Sequence, residues 1–78
     1  MSKFISYTAD FRNEQMHVFG ITSTGMPSKI YTFRIMNEEN PSWNINGNIM
    51  VLKYNKKRVI KTMEITDYSV RDIGTCGF

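Results

Sequence analysis

The feature that most constrains the fold of this chain is the spacing of its apolar residues, which alternate with polar ones in several short runs. These runs are separated by polar stretches that contain Gly, Pro or Asn. Successive side chains of a β-strand point to opposite faces of a sheet, so the alternation predicts half-buried strands. No segment of a dozen residues shows the apolar spacing of an amphipathic helix. The sequence therefore predicts an all-β fold.

The stretch 48–65 predicts a β-hairpin with its loop centred on Lys56 and Lys57. Directly opposed residues of an antiparallel pair share a face of the sheet. The opposed pairs are then Tyr54 with Val59, Leu52 with Lys61, and Met50 with Met63. The face that they define is largely apolar and consists of Met50, Leu52, Tyr54, Val59, Lys61, Met63 and Ile65.

A second hairpin is predicted at Asn46-Gly47, a dipeptide that favours the positive φ angles of a type I′ turn. This turn predicts the pairs Ile45 with Asn48 and Trp43 with Met50, and it places the single tryptophan on the face of Leu52. Further strands are expected over residues 3–12, 15–22 and 29–36, with Asn13-Glu14, 23–28 and 37–42 as their loops. In the first of these strands, the predicted apolar side consists of Ile5, Tyr7, Ala9 and Phe11.

The C-terminal segment allows two interpretations. Thr66 or Asp67 can cap one short helical turn over residues 68–72, or the segment can extend the last strand. The tail 74–78 shows no periodicity and is expected to fray unless Phe78 docks. The predicted architecture is a single small β domain, 1–78, built as an antiparallel meander of five or six strands that forms a curved sheet or a small barrel. Open sheet edges in so short a chain favour a homodimer.

Composition sets the broad class and the expected location. Hydrophobic residues make up 41% of the chain and aromatic residues 13%, which is enough for a packed core. The single cysteine, Cys76, excludes an internal disulfide and fits a reducing compartment.

No apolar run approaches the roughly 20 residues that span a bilayer. We expect a cytoplasmic protein without a membrane anchor. The wealth of Ile, Asn, Lys and Met suggests a viral or phage gene, and hence the host cytoplasm.

Half of the ten cationic residues lie in one nine-residue stretch, 53–61, inside the predicted 48–65 hairpin. No acidic residue lies in this stretch. The five cations are Lys53, Lys56, Lys57, Arg58 and Lys61. Such a cluster is typical of a phosphate-binding surface, because each phosphate that is neutralised releases a counterion. Tyr54, beside Lys53, is the best candidate for stacking on a base. The alternative is a solvated hairpin tip whose charges only maintain solubility.

The sequence offers no catalytic or metal-binding constellation. His17 is the only histidine, and with one cysteine no set of metal ligands has a usable spacing. A cross-strand contact of His17 with Asp10 needs no catalytic explanation, because no nucleophile accompanies it. The glycines match no phosphate-binding loop. We therefore expect no enzyme activity and no cofactor.

Two functions are compatible with these features. The first is binding of RNA or single-stranded DNA by the basic hairpin, because no recognition helix for duplex DNA is predicted. Its site residues are Lys53, Tyr54, Lys56, Lys57, Arg58 and Lys61. The second is a protein-binding inhibitor or adaptor, for example a phage product that blocks a host protein through the basic hairpin or through a sheet edge.

Overall fold

The computed structural model describes residues 3–78 and contains seven strands and one short 3₁₀ turn. The strands are β1 (Ser6–Arg12), β2 (Gln15–Ile21), β3 (Pro27–Arg34), β4 (Pro41–Asn46), β5 (Ile49–Tyr54), β6 (Val59–Ile65) and β7 (Val70–Gly77), and the 3₁₀ turn is Asn37–Glu39. Two antiparallel sheets have the orders β1-β2-β3 and β4-β5-β6-β7. The all-β antiparallel meander is confirmed. It has seven strands instead of five or six, and it forms two sheets instead of the single curved sheet or small barrel that the sequence predicts. No helix among these residues has the length and apolar character to cross a bilayer.

One hydrophobic core joins the inner faces of both sheets. Its buried members are Met16 and Val18 of β2, Ile35 after β3, Met50, Leu52 and Tyr54 of β5, and Met63 and Ile65 of β6. Each fully buried side chain of this size contributes about 1.5–3 kcal/mol. The rings of Phe11 and Trp43 meet edge to face at 6.3 Å between centroids, one from each sheet. A polar contact also joins the sheets, since the Tyr7 hydroxyl donates to Asp67 Oδ1 at 3.2 Å.

The β5–β6 hairpin has the register that the sequence predicts. Tyr54 pairs with Val59, Leu52 with Lys61, and Met50 with Met63 across the loop 55–58. The apolar face of this hairpin packs into the core, which explains why the register is so well specified: a one-residue slip would turn the apolar face to solvent. The β1–β2 hairpin is also confirmed, with Asp10 opposite His17 and Phe11 opposite Met16.

The predicted register at Asn46-Gly47 is wrong. The turn residues are Gly47 and Asn48, so that Ile45 pairs with Met50 and Trp43 with Leu52. Gly47 has a φ of +62° at the first central position, which is where hairpin turns of the II′ type place glycine. Asn48 is held by β6, since its carbonyl oxygen accepts from the Ile65 amide at 2.8 Å. The partner of Trp43 is Leu52 instead of the predicted Met50, a shift of two residues. Because side chains of a strand alternate between faces, a shift of two leaves the tryptophan on its predicted face.

The start of the chain departs from the predicted alternation. Ile5, expected on the apolar side, is 70% exposed, while Phe4 is buried at 8% exposure. The strand begins only at Ser6, and Phe4 folds back over Gly20 of β2. Gly20 lies on the inner side of its strand and has no side chain to fill the space there. The Phe4 ring occupies that space, which leaves Ile5 to solvent.

The predicted C-terminal helical turn is wrong, and so is its alternative, an extension of the preceding strand. The tail, which was expected to fray unless Phe78 docks, is paired with β6. Residues 66–69 form a turn in which the Thr66 amide donates to the Ser69 carbonyl at 2.8 Å. The chain then reverses and forms β7, which pairs with β6 along its whole length. The pairing shifts register between Thr62 and Met63, and this bulge hides the strand periodicity in the sequence. The Phe78 amide donates to the Arg58 carbonyl at 2.9 Å and fixes the end of the chain beside the hairpin loop.

Candidate binding site at the basic hairpin

Four cations of the β5–β6 hairpin are exposed, namely Lys53, Lys56, Lys57 and Arg58. We use the name tip cations for Lys53, Lys56 and Arg58. Lys53 lies on the outer face of its sheet, opposite Ser42 and Ile60, while Lys56 and Arg58 belong to the loop. Within residues 3–78, no carboxylate forms an ion pair with any of the three. Their charges are therefore available to an anionic ligand.

The other two predicted cations turn toward the opposite side of the hairpin, where they surround Tyr54. The ammonium nitrogen of Lys57 lies 4.9 Å from the centre of the Tyr54 ring, and that of Lys61 lies 5.4 Å from it. Lys57 Nζ is also 3.5 Å from Glu39 Oε2. Cation–π contacts of this kind contribute about 0.5–1 kcal/mol each at exposed sites. Lys57 and Lys61 are thus partly engaged in contacts within the protein, unlike the three tip cations.

Tyr54 has a structural position that does not suit the predicted stacking role. Its side chain is 8% exposed, and two lysines approach its ring. Burial raises the pKa of the Tyr54 hydroxyl above 10.0, and the nearby carboxylates of Glu39 and Asp72 raise this pKa further. A base would have to displace both ammonium groups to reach the ring. Tyr54 anchors the hairpin to the core instead.

The most acidic stretch of the chain lies next to its most basic one. The 3₁₀ turn packs on the hairpin loop, where the Lys56 amide donates to the Glu39 carbonyl at 3.1 Å and Asn55 Nδ2 donates to the Asn40 carbonyl at 2.6 Å. Glu39 Oε2 faces Lys57, while its Oε1 is buried without a hydrogen-bond partner among the described residues. The sequence places Glu39 in a separate loop, and only the fold reveals that it neutralises part of the cluster.

A shallow cavity of about 320 Å³ adjoins Lys53 on the second sheet. Its lining residues are Ser42, Trp43, Asn44, Val51 and Lys53. The hydroxyl and amide side chains at its rim can donate and accept hydrogen bonds, and Val51 supplies an apolar floor. This cavity gives the Lys53 side of the hairpin a mostly apolar recess, with polar side chains in its lining, beside a cation that has no carboxylate partner among the described residues.

The first sheet carries a second candidate surface that the sequence did not single out. A cavity of about 300 Å³ is lined by Asp10, Arg12, His17, Phe19 and Lys29. The predicted contact of His17 with Asp10 is only a backbone pairing, since His17 Nδ1 lies 3.2 Å from Thr32 Oγ1 and Asp10 pairs with Arg12 at 3.1 Å. The sequence contained one signal for this surface: Phe19 is an aromatic residue at an outward position of a strand in which buried and less buried residues alternate.

Residues 3–78 bring together no three His, Cys, Asp or Glu side chains in an arrangement suited to a metal ion. Cys76 is exposed and carries a free thiol. No protein-family model, curated protein or solved structure matches this chain. Function is therefore inferred from the geometry of its surfaces.

Proposed function

We propose that this chain is a small protein that binds single-stranded nucleic acid, either RNA or DNA, through its basic hairpin. The observation that carries the proposal is that Lys53, Lys56 and Arg58 are exposed and lack carboxylate partners among the described residues. Phosphates are the ligands that such a set of free cations favours, because each contact releases a condensed counterion. Lys57 and Lys61 add positive potential from the other side of the hairpin.

A single strand suits these surfaces better than a duplex does. The described residues contain no α-helix that could enter a major groove. Strands that present cations and outward aromatic rings are typical of surfaces that bind unpaired nucleotides. The proposed role is binding, with no catalytic step. We also propose a cytoplasmic location, in a host cell if the gene is viral, because an exposed free thiol such as Cys76 fits a reducing compartment.

The test is the salt dependence of binding to a fluorescein-labelled 12-nucleotide strand, measured by anisotropy with both RNA and DNA. For single strands, log K falls with log salt by about 0.7 for each phosphate contact. The double variant Lys56→Gln/Arg58→Gln is expected to reduce this slope by about 1.4, the sum of two such contacts. Circular dichroism confirms that the variant keeps its β-fold.

The matched control is Arg34→Gln/Arg71→Gln, which removes the same charge from residues that already pair with Glu14 and Glu64. It is expected to leave the slope close to that of the wild type. Wild-type protein that fails to bind either strand, or equal weakening by both double variants, would contradict the proposal. Equal weakening would show that net charge alone attracts the strand.

A second candidate function is a protein-binding inhibitor or adaptor, and the open edge of β7 favours it. This strand has eight residues, contains no proline and leaves Ile73 49% exposed. Such an edge can extend the sheet of a partner or of a second copy, which would give a homodimer. A pull-down after nuclease treatment separates the two functions. If the wild-type protein retains a partner after nuclease treatment and the Ile73→Lys variant does not, strand addition is favoured over nucleic-acid binding.

A further inference from the structure

The outer face of the first sheet carries two neighbouring rings that the core does not use. Burial alternates along β2, where Met16 and Val18 point inward with no exposed surface. His17 and Phe19 therefore point outward, and their ring centroids lie 6.4 Å apart with 37° between the planes. An outward Phe next to an outward His forms an aromatic floor on a sheet surface.

The position of these rings is well defined by their neighbours. Phe19 pairs with Thr8 on one side and with Lys29 on the other. His17 Nδ1 lies 3.2 Å from the Thr32 hydroxyl, a contact that orients the imidazole ring. The cavity over the rings measures about 300 Å³. This space is of the size that holds a single heterocycle, at the lower end of ligand pockets.

The rim of the cavity provides charges that match a nucleotide. Lys29 is exposed and forms no ion pair within residues 3–78, whereas the Arg12 guanidinium lies 3.1 Å from the Asp10 carboxylate. A free cation beside an aromatic floor can contact a phosphate while the base stacks. The Asp10 oxygens can accept a hydrogen bond from an exocyclic amino group.

We propose that Phe19 and His17 form a stacking platform for one base of a single strand, with Lys29 on the adjacent phosphate. This inference rests on the proposed function, but it involves none of the hairpin residues. The two surfaces have different effects on affinity. The hairpin responds to phosphates alone, and the platform responds to the presence of bases.

The test compares two 12-nucleotide strands, oligo(dA) and an abasic strand with the same phosphates. Stacking of one base is expected to raise affinity, so wild-type protein should bind oligo(dA) about 5- to 150-fold more tightly than the abasic strand. Phe19→Ala and Phe19→Leu are expected to remove this preference without changing affinity for the abasic strand. Phe19→Leu keeps apolar bulk on the strand and guards against misfolding. The control Ile21→Ala, another outward position of β2, is expected to keep the preference.

A second readout needs no variant. His17 is the only histidine, so its ring C–H signals can be followed directly in a proton NMR spectrum. They are expected to move upfield with oligo(dA) and to stay in place with the abasic strand.

Salt-dependent binding of both strands with equal affinity would overturn the platform and leave the hairpin proposal intact. Retention of the preference by Phe19→Leu, or its loss in Ile21→Ala, would also overturn it. Failure to bind either strand would refute both proposals.

Discussion

The contact between Phe4 and Gly20 gives the sharpest test of the core. A Cβ added at Gly20 would lie 2.3 Å from two atoms of the Phe4 ring, which is far below any normal contact distance. Gly20 does not have a left-handed φ, so its backbone alone would tolerate alanine. The structure therefore predicts that Gly20→Ala is destabilising because of the ring, and for no other reason.

The expected free energies follow from burial. Overpacking of a core costs about 1–3 kcal/mol, so Gly20→Ala should lower the free energy of unfolding by about 2 kcal/mol. Phe4 is 8% exposed, and Phe4→Ala should cost about 3 kcal/mol through lost burial. In the double variant the ring is absent and the clash disappears, while alanine in a strand is favoured over glycine by about 0.5–1 kcal/mol. The double variant should therefore lose about 2–3 kcal/mol, well short of the sum of about 5 kcal/mol.

Urea unfolding at 25 °C, followed by the fluorescence of Trp43, measures all four proteins of this cycle. With a slope of about 1 kcal/mol per molar urea for a chain of this size, each 2 kcal/mol moves the midpoint by about 2 M. If Phe4→Ala is too unstable to measure, Phe4→Leu replaces it in a milder cycle with Gly20→Ala. Additive effects in both cycles would show that the ring and the added methyl group do not compete, and would refute the packing described for the N-terminal segment.

Two further predictions concern stability. The pKa of Tyr54 is raised by burial and by Glu39 and Asp72, so the folded state binds its proton more tightly than the unfolded state does. The stability that this group contributes is complete below pH 10 and falls as the pH rises toward the folded-state pKa. In urea unfolding between pH 9 and 11.5, Tyr54→Phe should lose less stability with rising pH than the wild type does. An equal loss in both proteins would disprove this prediction. Gly47→Ala should cost about 1 kcal/mol because of the φ of +62°, whereas Gly74→Ala, which lies within β7 and meets open space, should raise the unfolding free energy by about 0.5 kcal/mol or slightly more. Equal effects of the two substitutions would contradict the turn geometry.

The hairpins were predictable where apolar residues oppose one another. At the β5–β6 hairpin, only one register buries Met50, Leu52 and Met63 together, and the sequence shows it directly. The Asn46-Gly47 turn was misplaced because two turn types compete at that dipeptide. Tertiary contacts of Asn48 with Ile65 select the later turn, and these contacts are not visible locally.

The C-terminal strand was missed for a different physical reason. β7 lies at a sheet edge, and its pairing with β6 contains a bulge, so apolar residues do not alternate along it. Edge strands need fewer buried side chains, and their stability comes from backbone pairing that no residue pattern reports.

The cation cluster was visible in the sequence, but its environment was not. The alternation already placed Lys61 on the face of Tyr54, but Lys57 appeared equal to the other cations; in the fold both ammonium groups approach the Tyr54 ring. Glu39 is distant along the chain and becomes a neighbour only through the packing of the 3₁₀ turn. Charge spacing along a strand predicts where cations concentrate, whereas their pairing depends on contacts between loops.

The strand order has a consequence for how the chain reaches its native state. Every hydrogen-bonded strand pair joins neighbours along the chain, so each hairpin can close without waiting for a distant segment. Local closure loses little chain entropy, and topologies of this kind fold faster than β proteins with crossing connections. The link between Tyr7 and Asp67 spans 60 positions and can form only when the two sheets dock. We therefore expect the individual hairpins to close before this contact forms during refolding.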